Sequence, residues 1–555
     1  MRKDAPRLDG LRRECAPVAN GLIDALAAGR VSRRDFVRHG AAIGLSLRLL
    51  GAVAGSLGLA AAAPRRAKAA ATGGVIRVGQ LVPQMAIEPV KVTEAAGIAQ
   101  LSLAGEYLCL NGADLVLAPM LAESWSPNAD ATLWSFKLRQ GVKFHDGKPM
   151  TADDVVATFE RLTDPDYGSN ALTLFSGYLS LGGTKKADAA TIEFHLDAPH
   201  GNFPYLVSSD NYNAIILPAD YRGDFESNFI ATGPFKLEKY TLRTGSSFVR
   251  NDDYWGGKAL ADRIECAFFA DTGAQADSLK AGQIDIIQQL PVRFGAQLSG
   301  EAGIEILGVP SGSHHQVHMR TDMEPFADPR VRRAVALCLD RPSLIQSLAG
   351  GHARVGNDSP IAPAYPFAAK TVPQRERNIG EAKQLMEAAG KPEGFGVTLV
   401  TEKFLEIPDF ARAIQDAVKT IGGRIEIEAL DQGAYYADGV FGKSPWLDSA
   451  MGITDFGHRG LPNVSLTAAL GSDGAWNAAR YRNPAYDRLV SSYIGALDIE
   501  AQRQAAAQIE TLLLQDTPVV FAYFHDALMA VRKGVTGVKT TAMGHLLLAE
   551  ASAPK

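Results

Sequence analysis

Apolar and polar residues alternate in short segments along much of the chain, and this alternation predicts β-strands. TLWSFKL (residues 132–138) and TIEFHLD (191–197) each place an apolar side chain at every second position. A period of two puts the apolar side chains on one face of a strand and the polar ones on the other. The residues expected on the buried faces are Trp134, Phe136, Leu138, Ile192, Phe194 and Leu196.

Helical spacing of apolar residues follows two recognisable helix starts. Thr151 supplies a capping hydroxyl and Asp154 an acidic group for the first turn of one predicted helix. Asp328 followed by Pro329 opens another, because proline is well accepted at the first helical position. Cys338 falls on the apolar stripe of this second helix, so we expect it to be a buried core thiol.

A third predicted helix spans residues 381–389 and ends at Gly390, with Pro392 beyond it as a stop signal. Strands and helices alternate through the chain, which is typical of the α/β class. The 555 residues exceed what one hydrophobic core usually organises. We therefore expect two or three domains.

The first seventy residues differ in composition from the rest. SRRDFV (32–37) contains two adjacent arginines and precedes a weakly apolar stretch at 41–63 that is rich in Ala and Gly. This stretch is too poor in Leu, Ile and Phe for a membrane-spanning helix, and AKA at 67–69 suits a signal peptidase. We predict that 1–69 is a twin-arginine signal peptide, used by the twin-arginine export machinery. The alternative is a basic amphipathic N-terminus that stays attached.

The remainder of the chain is acidic. Without residues 1–69 it retains 43 of the 56 basic and 56 of the 61 acidic residues, a formal net charge of −13. An acidic surface repels phosphate backbones and anionic lipids. We therefore expect no nucleic-acid partner and a location in the periplasm as a dissolved protein. No Cys follows the predicted cleavage site closely, so a lipid anchor is not expected.

Several segments imitate catalytic motifs but lack an essential feature. GVKFHDGK (141–148) resembles a phosphate-binding loop, yet its spacing is one residue too long and Pro149 stands where Ser or Thr is needed. No Gly-x-Ser-x-Gly motif occurs, and no dinucleotide, haem or iron–sulfur pattern is present. We predict that the protein is not an enzyme and needs no cofactor.

Cysteines and histidines give no complete metal site in the sequence. The cysteines after the predicted cleavage site are Cys109, Cys266 and Cys338. An odd number leaves at least one thiol free, and the pairing of the other two stays open. If the segment that holds His314, His315 and His318 is a strand, His315 points away from the other two, and further ligands would have to come from elsewhere. We predict no metal site.

Taken together, seven segments of the chain resemble one family, the peptide and nickel solute-binding proteins known as solute-binding family 5. They keep the family's order from about residue 75 to about residue 535. The matching segments are LAESW (121–125), GVKFHDG (141–147), TADDVV (151–156), TGPFKL (232–237), NDDYWGG (251–257), SLKAGQID (278–285) and FADPRVRRA (326–334).

The resemblance implies an α/β, two-lobed periplasmic-binding-protein type II fold with an extra inserted domain. Lobe one is expected at 75–115, 230–325 and 515–555, the inserted domain at 116–229, and lobe two at 326–514. It also implies a function: capture of a small peptide-like ligand between the lobes and delivery to the permease of an ABC transporter. We expect the protein to act as a monomer.

The resemblance further implies a ligand-binding residue in lobe two. In peptide-binding relatives an Asp after a Met-Gly-x-Thr-like stretch holds the ligand's α-ammonium, and MGITD (451–455) makes Asp455 the candidate here. Arg459 offers a planar guanidinium to a ligand carboxylate. Trp476 and Tyr212 are further candidates for ligand contact.

The sequence also departs from the peptide-binding pattern. GHRGLPN (457–463) replaces the family's usual Asp-Pro-Asp-Asn stretch, and Ile453 stands where Trp is common. Three alternatives to a peptide binder stay open. One is a binder of a non-peptide solute, such as a metal chelate, an opine or a sugar derivative. The second is an exported cofactor enzyme, since the twin-arginine route carries folded proteins. The third is a structural or signalling ectodomain, which fits the fold but needs a partner that the sequence does not name.

Overall fold

The computed structural model describes residues 17–27, 73–223 and 225–553, together with the single positions 31, 36, 40, 45, 50 and 53. Arg33, Arg34 and the predicted cleavage site at 67–69 lie outside the described residues. The prediction of a signal peptide therefore stays a prediction.

The described chain alternates between strands and helices. The strands are β1 (Val75–Leu81), β2 (Cys109–Asn111), β3 (Leu117–Pro119), β4 (Ala122–Pro127), β5 (Leu133–Leu138), β6 (Thr184–Lys186), β7 (Thr191–His195), β8 (Phe235–Thr241), β9 (Gly245–Arg250), β10 (Arg263–Phe269), β11 (Ile286–Leu290), β12 (Ile304–Met319), β13 (Ala353–Val355), β14 (Gly396–Glu402), β15 (Arg424–Leu430), β16 (Met451–Phe456), β17 (Val519–Arg532), β18 (Lys539–Thr540) and β19 (Leu546–Leu547). The α-helices are α1 (Pro17–Ala27), α2 (Ala95–Ala104), α3 (Ala152–Thr163), α4 (Leu172–Phe175), α5 (Phe203–Leu206), α6 (Phe225–Asn228), α7 (Thr272–Lys280), α8 (Val292–Leu298), α9 (Pro329–Leu337), α10 (Arg341–Ala349), α11 (Ile379–Ala388), α12 (Ile407–Val418), α13 (Gln432–Tyr436), α14 (Pro445–Asp448), α15 (Asn463–Thr467), α16 (Pro484–Gly495) and α17 (Ile499–Asp516). Two short 3₁₀-helices lie at Pro165–Tyr167 and Lys419–Ile421.

One large sheet runs through the molecule in the order β15-β14-β16-β12-β17-β11-β1-β10-β9-β8, with β13 added to β17. We call β11, β1, β10, β9 and β8 its first half and β15, β14 and β16 its second half. In the first half β1 is parallel to β10 and β11, and in the second β14 is parallel to β15 and β16. Parallel strands with crossover helices on their faces are the mark of an α/β protein. The predicted α/β class is therefore confirmed.

The two long strands β12 and β17 join the halves. The first part of β12 pairs with the last part of β17, from Ile304 opposite Arg532 to Pro310 opposite Asp526. The last part of β12 pairs with β16 and with the first part of β17. The β12–β17 register shifts after Pro310 and again after His314. Irregular pairing bends a strand and interrupts its hydrogen-bond ladder locally.

Residues 116–229, which we predict to be the inserted domain and call the inserted segment, contain a separate antiparallel sheet in the order β4-β5-β7-β6, contacted by α3. Trp134 and Phe136 are fully buried, as the alternation predicted, whereas Leu196 lies beyond the end of β7 and is only partly buried. Helix α3 begins where expected, because the backbone N–H of Thr151 donates to the carboxylate of Asp154 at 2.7 Å.

The other predicted helix starts hold with small shifts. Asp328 caps α9 by accepting a hydrogen bond from the backbone N–H of Arg330, as predicted. Helix α11 begins at Ile379, two residues before the predicted start, because the side chain of Asn378 caps it. Cys338 is buried in the core of the second half. The described cysteines, Cys109, Cys266 and Cys338, are all buried and free.

Separate apolar clusters stabilise the halves. The core of the second half packs α9, α11 and α12 around β14 and β16, while the largest cluster spans the first half, the inserted segment and parts of residues 361–369 and 461–513. In the part of the chain that the structure describes, no helix has the length and apolar character needed to cross a membrane.

Candidate ligand-binding cleft

A cavity of about 370 Å³ lies where β12 and β17 cross between the two halves of the sheet. One side of the cavity is formed by residues 288–292, at the end of β11, and by residues 540–544. The other side is formed by residues 404–406, Asp455 and Gly457. Ser313, His315 and residues 525–528 of the crossing strands complete the lining. Small-molecule sites typically occupy about 300–1,000 Å³ between structural units, and this cavity has the size and place of such a site.

His315 lies at the centre of the polar side of the cavity. The register of β12 and β16 places His315 directly opposite Asp455, where antiparallel strands bring side chains within contact distance. Its Nδ1 atom lies 3.2 Å from Oδ1 of Asp455, and its Nε2 atom lies 3.1 Å from Oε1 of Glu406. Since only 1% of the His315 side chain is exposed, both contacts are shielded from water.

The two carboxylates hold His315 in its charged form. Burial by itself would lower the pKa of His315, but Asp455 and Glu406 outweigh it and raise that pKa to about 9. For Glu406 burial acts in the opposite direction and by itself would raise the pKa. The hydrogen bond and the charge of His315 outweigh burial and lower the pKa of Glu406 to about 2. Glu406 directly precedes α12, so the N-terminal end of that helix also favours its negative charge.

His525 on β17 lies beside this pair but has no hydrogen bond of its own. Its Nε2 atom is 3.5 Å from Oε1 of Glu406, and its ring centroid is 4.6 Å from that of His315. Neither ring nitrogen finds a hydrogen-bond partner among the described residues, although the side chain is only 10% exposed. Burial, with the nearby charge of His315, lowers the pKa of His525 to about 4, so the ring is neutral near pH 7.

The cavity lining favours a positively charged guest. It contains three carboxylates, those of Glu406, Asp455 and Asp526, and none of the described residues that line it is Lys or Arg. Asp526 is 3.3 Å from the guanidinium of Arg354, which lies outside the lining. His315 contributes one positive charge against these acids, so the cavity attracts cations and disfavours a free ligand carboxylate.

Of the four residues predicted to contact ligand, Asp455 is the one that lines this cavity. Its side chain is 31% exposed, and its backbone N–H donates to Glu402 at 3.2 Å. Arg459 lines a separate cavity of about 100 Å³, together with Asp210 and His200 of the inserted segment. The Arg459 backbone oxygen accepts a hydrogen bond from the hydroxyl of Tyr365 at 2.5 Å.

The other two predicted residues lie among aromatic and apolar side chains. Trp476 packs near Phe456 and Trp446, with ring centroids 6.5 and 6.4 Å away. Tyr212 packs against the core of the first half, and its backbone oxygen accepts a hydrogen bond from Tyr107 at 3.3 Å. Neither lines the cleft cavity. Ligand contact by Arg459, Trp476 and Tyr212 stays a prediction.

Glu406 and His525 were missed by sequence reasoning. Glu406 stands at the start of a helix and His525 inside an apolar strand, and neither position carries a motif. His315 was noticed only as one of three neighbouring histidines. Its neighbours have other contacts: Nδ1 of His314 is 2.7 Å from the backbone oxygen of Gly312, and Nε2 of His318 is 3.2 Å from that of Ser449.

Comparisons with known proteins agree on one family. The family described as "Bacterial extracellular solute-binding proteins, family 5 Middle" matches residues 116–456. The "Dipeptide-binding protein DppE" of Bacillus subtilis is 24% identical over 480 residues, which cover 80% of this chain and 85% of that protein. The "Di/tripeptide-binding protein 2" of Pseudomonas aeruginosa is 27% identical over 466 residues, covering 77% and 84%.

A solved structure supports the same conclusion for the fold. The structure of HbpA2 from Haemophilus parasuis superposes with a TM-score of 0.77 and covers 87% of this chain and 100% of its own, at 22% identity. At this level of identity the similarity concerns the architecture and not the ligand.

Proposed function

The chain belongs to the bacterial extracellular solute-binding proteins of family 5, and we propose that it captures a small peptide-like ligand between its lobes and delivers it to the permease of an ABC transporter. The predicted fold, two-lobed and of the periplasmic-binding-protein type II class with an inserted domain, is confirmed. Proteins of this family serve transport, and we propose that the cargo leaves chemically unchanged.

The position of Asp455 in the cavity lining supports a ligand with a free amine. Its carboxylate is 31% exposed and stands at the edge of a cavity whose described lining contains no Lys or Arg. A charge-assisted hydrogen bond from an ammonium group to such a carboxylate contributes about 1.5–3 kcal/mol. Oδ1 is 3.2 Å from Nδ1 of His315, and we propose that the ligand binds the exposed part of the carboxylate. The α-ammonium of a peptide supplies the matching charge.

The crossing strands supply a means of closure. A ligand that contacts residues 288–292 of the first half and Asp455 of the second binds the closed arrangement better than the open one. We place the bending at the register shifts of β12 and at the adjoining part of β17. This puts the hinge inside the strands, between the lobes expected at 230–325 with 515–555 and at 326–514. Micromolar affinity, roughly −8 kcal/mol, would permit both capture and release.

Location and partners follow from this role. We propose export by the twin-arginine machinery, removal of 1–69 and action in the periplasm as a monomer that docks to a permease. The acidic remainder of the chain, with a formal net charge of −13, agrees with a protein that binds neither nucleic acid nor anionic lipid.

Thermal-shift measurements with dipeptides, tripeptides, glutathione, opines and sugars test the proposal. A ligand at 100 times its Kd stabilises a protein by about 2.7 kcal/mol, which is readily detected. The experiment is run with a chelator present, so that metal does not contribute. Stabilisation by peptides supports the proposal, whereas stabilisation by opines or sugars alone contradicts it. Mass spectrometry of the released peptide checks that it is unaltered, and a converted product would identify an enzyme.

A further inference from the structure

His525 is a buried side chain whose interactions are incomplete. Both of its ring nitrogens lack hydrogen-bond partners within the described chain, yet the ring lines the cleft cavity. A buried imidazole is normally hydrogen-bonded or bound to a metal, because an unsatisfied polar group in the interior is unfavourable. The neighbouring carboxylate of Glu406 is already engaged by His315. The structure therefore offers His525 no fixed partner.

Three potential metal ligands converge at this point. One nitrogen of His315, one of His525 and a carboxylate oxygen of Glu406 all lie within 4.8 Å of one another. Ligands at about 2.0–2.2 Å from a tetrahedral zinc ion lie about 3.3–3.6 Å apart. Oε1 of Glu406 already lies 3.1 Å from Nε2 of His315 and 3.5 Å from Nε2 of His525, so a small inward shift of the two rings would bring all three donors into contact with one ion. All three residues are buried, which holds them in place.

Asp455 contacts the ring of His315 and would orient it toward the three-residue site. Its carboxylate lies near Nδ1 of His315, on the side of the ring opposite the Nε2 atom that faces Glu406. Metal-binding histidines commonly present one nitrogen to the ion and the other to a carboxylate, which fixes the ring and increases its basicity. The arrangement of Asp455, His315 and the neighbouring donors matches this pattern.

We propose that His315, His525 and Glu406 bind one divalent transition-metal ion at the wall of the cleft, with a coordination position left open to the cavity. Two imidazoles and one carboxylate suit zinc, nickel or copper better than calcium or magnesium, which prefer oxygen ligands. His315 would release one ring proton when the ion binds, because a metal-bound imidazole is neutral. A cargo atom with a free lone pair, such as a peptide oxygen, would complete the coordination. The site uses the same cleft as the proposed function but does not require the cargo to be a peptide.

A purely structural ion pair does not account for all of these contacts. The ion pairs of His315 with Glu406 and Asp455 would hold those three residues together without a metal, yet Nδ1 of His315 has no hydrogen-bond partner among the described residues. These ion pairs leave both ring nitrogens of His525 without a hydrogen-bond partner among the described residues. An apolar side chain at this position of β17 would fill the space without that cost. The absence of Lys and Arg from the described cavity lining also removes the side chains that would repel a cation.

Titration calorimetry on the full chain, stripped of metal and freed of chelator, tests the proposal with Zn²⁺ and Ni²⁺, and with Ca²⁺ as a comparison. We expect one Zn²⁺ or Ni²⁺ per chain and no comparable binding of Ca²⁺. His525→Gln should weaken Zn²⁺ binding by at least about 100-fold, and Asp455→Asn by about 10–100-fold through loss of orientation. The control is His195→Gln, which removes an exposed histidine of the inserted segment and should bind Zn²⁺ as the unaltered chain does.

Failure of the unaltered chain to bind either metal overturns the proposal, whether or not the variants fold. Equal Zn²⁺ affinity of His525→Gln and the unaltered chain overturns it as well. Peptide binding in the presence of chelator is measured separately. Peptide binding without metal binding supports the proposed function and contradicts the metal site. Metal binding without peptide binding supports the metal site and contradicts the proposed function.

Discussion

His315 and Asp455 face each other across the pairing of β12 and β16, with Nδ1 of the imidazole 3.2 Å from Oδ1 of the carboxylate. Residues 140 positions apart in the chain thus form one unit at the point where the two halves of the sheet meet. The imidazole neutralises part of the negative charge of Asp455, and the Asp455 side chain also lines the cavity. The ligand contact and the bending that we propose therefore share one location.

Replacement of Asp455 by Asn tests its role as the ammonium anchor. In the presence of a chelator, Asp455→Asn should weaken peptides with a free amine by about 1.5–3 kcal/mol, roughly 10- to 150-fold. N-acetylated peptides lack the ammonium group and should be affected little. Asp473→Asn, which alters a carboxylate that is 94% exposed, serves as the control. If both peptide classes lose the same affinity in calorimetry, Asp455 is not the anchor.

Gly460 tests the contact between the inserted segment and residues after β16. A Cβ added to Gly460 would overlap the carboxylate of Asp210. Gly460→Ala should destabilise the protein by about 1–3 kcal/mol, since the packed carboxylate has to move. Gly457→Ala is the matched control because a Cβ there meets no atom within 4 Å. Urea unfolding compares them, and equal midpoints would show that Asp210 does not pack closely against Gly460.

Asp210 also makes stability depend on pH. Burial raises its pKa from 3.8 to about 7, despite the hydrogen bond from Asn111 that favours the charged form. The nearby His458 offers no charge, because burial lowers its pKa to about 3, and Arg459 lies in the same small cavity. The folded state therefore holds the proton more tightly than the unfolded state. This contribution is fully present below about pH 4 and is lost as the pH rises through 7.

Asp210→Asn removes this titration while keeping the shape of the side chain. Relative to the unaltered chain, it should become more stable by about 2–3 kcal/mol as the pH is raised from 5 to 8. Urea unfolding at both pH values measures the difference. A constant difference between the two chains would mean that Asp210 titrates normally in the folded protein.

A buried ion-pair network in the second half gives a further stability prediction. Asp358 is fully buried and accepts hydrogen bonds from Arg341 at 2.9 and 3.0 Å and from Arg375 at 2.6 Å. Asp358→Asn leaves two buried guanidinium groups without a counter-charge and should destabilise the fold by about 3–5 kcal/mol. Asp416→Asn, which breaks the exposed pair with Lys419, should change the free energy of unfolding by less than about 1 kcal/mol. Similar losses in urea unfolding would contradict this account.

Local patterns predicted much of the fold. The alternation around Trp134 and Phe136 and the cap at Thr151 depend on neighbours in sequence, and the structure confirms them. The prediction that Leu196 lies on the buried face of a strand was less successful, because β7 ends at His195. Periodicity identifies a strand more reliably than it identifies the residue where the strand ends.

The cleft was only partly predictable. Asp455 could be proposed because it follows a recognisable segment, MGITD, whereas Glu406 and His525 have no local signal. They reach His315 through the order and register of strands β16, β12 and β17, which periodicity cannot specify. The same limitation applies to Arg459, which lies only four residues after Asp455 but lines a different cavity.

The distance between the lobes on addition of ligand tests the central claim most directly. One fluorescent or spin label at position 85 and another at 440, introduced as Met85→Cys and Val440→Cys, would report it, because both side chains are about half exposed. Cys109, Cys266 and Cys338 are buried and should not react, and Cys15 is replaced by Ser. We predict that a bound peptide shifts the label-to-label distance to a single shorter value and is recovered unchanged. A distance that does not respond to a ligand shown to bind would contradict the clamp.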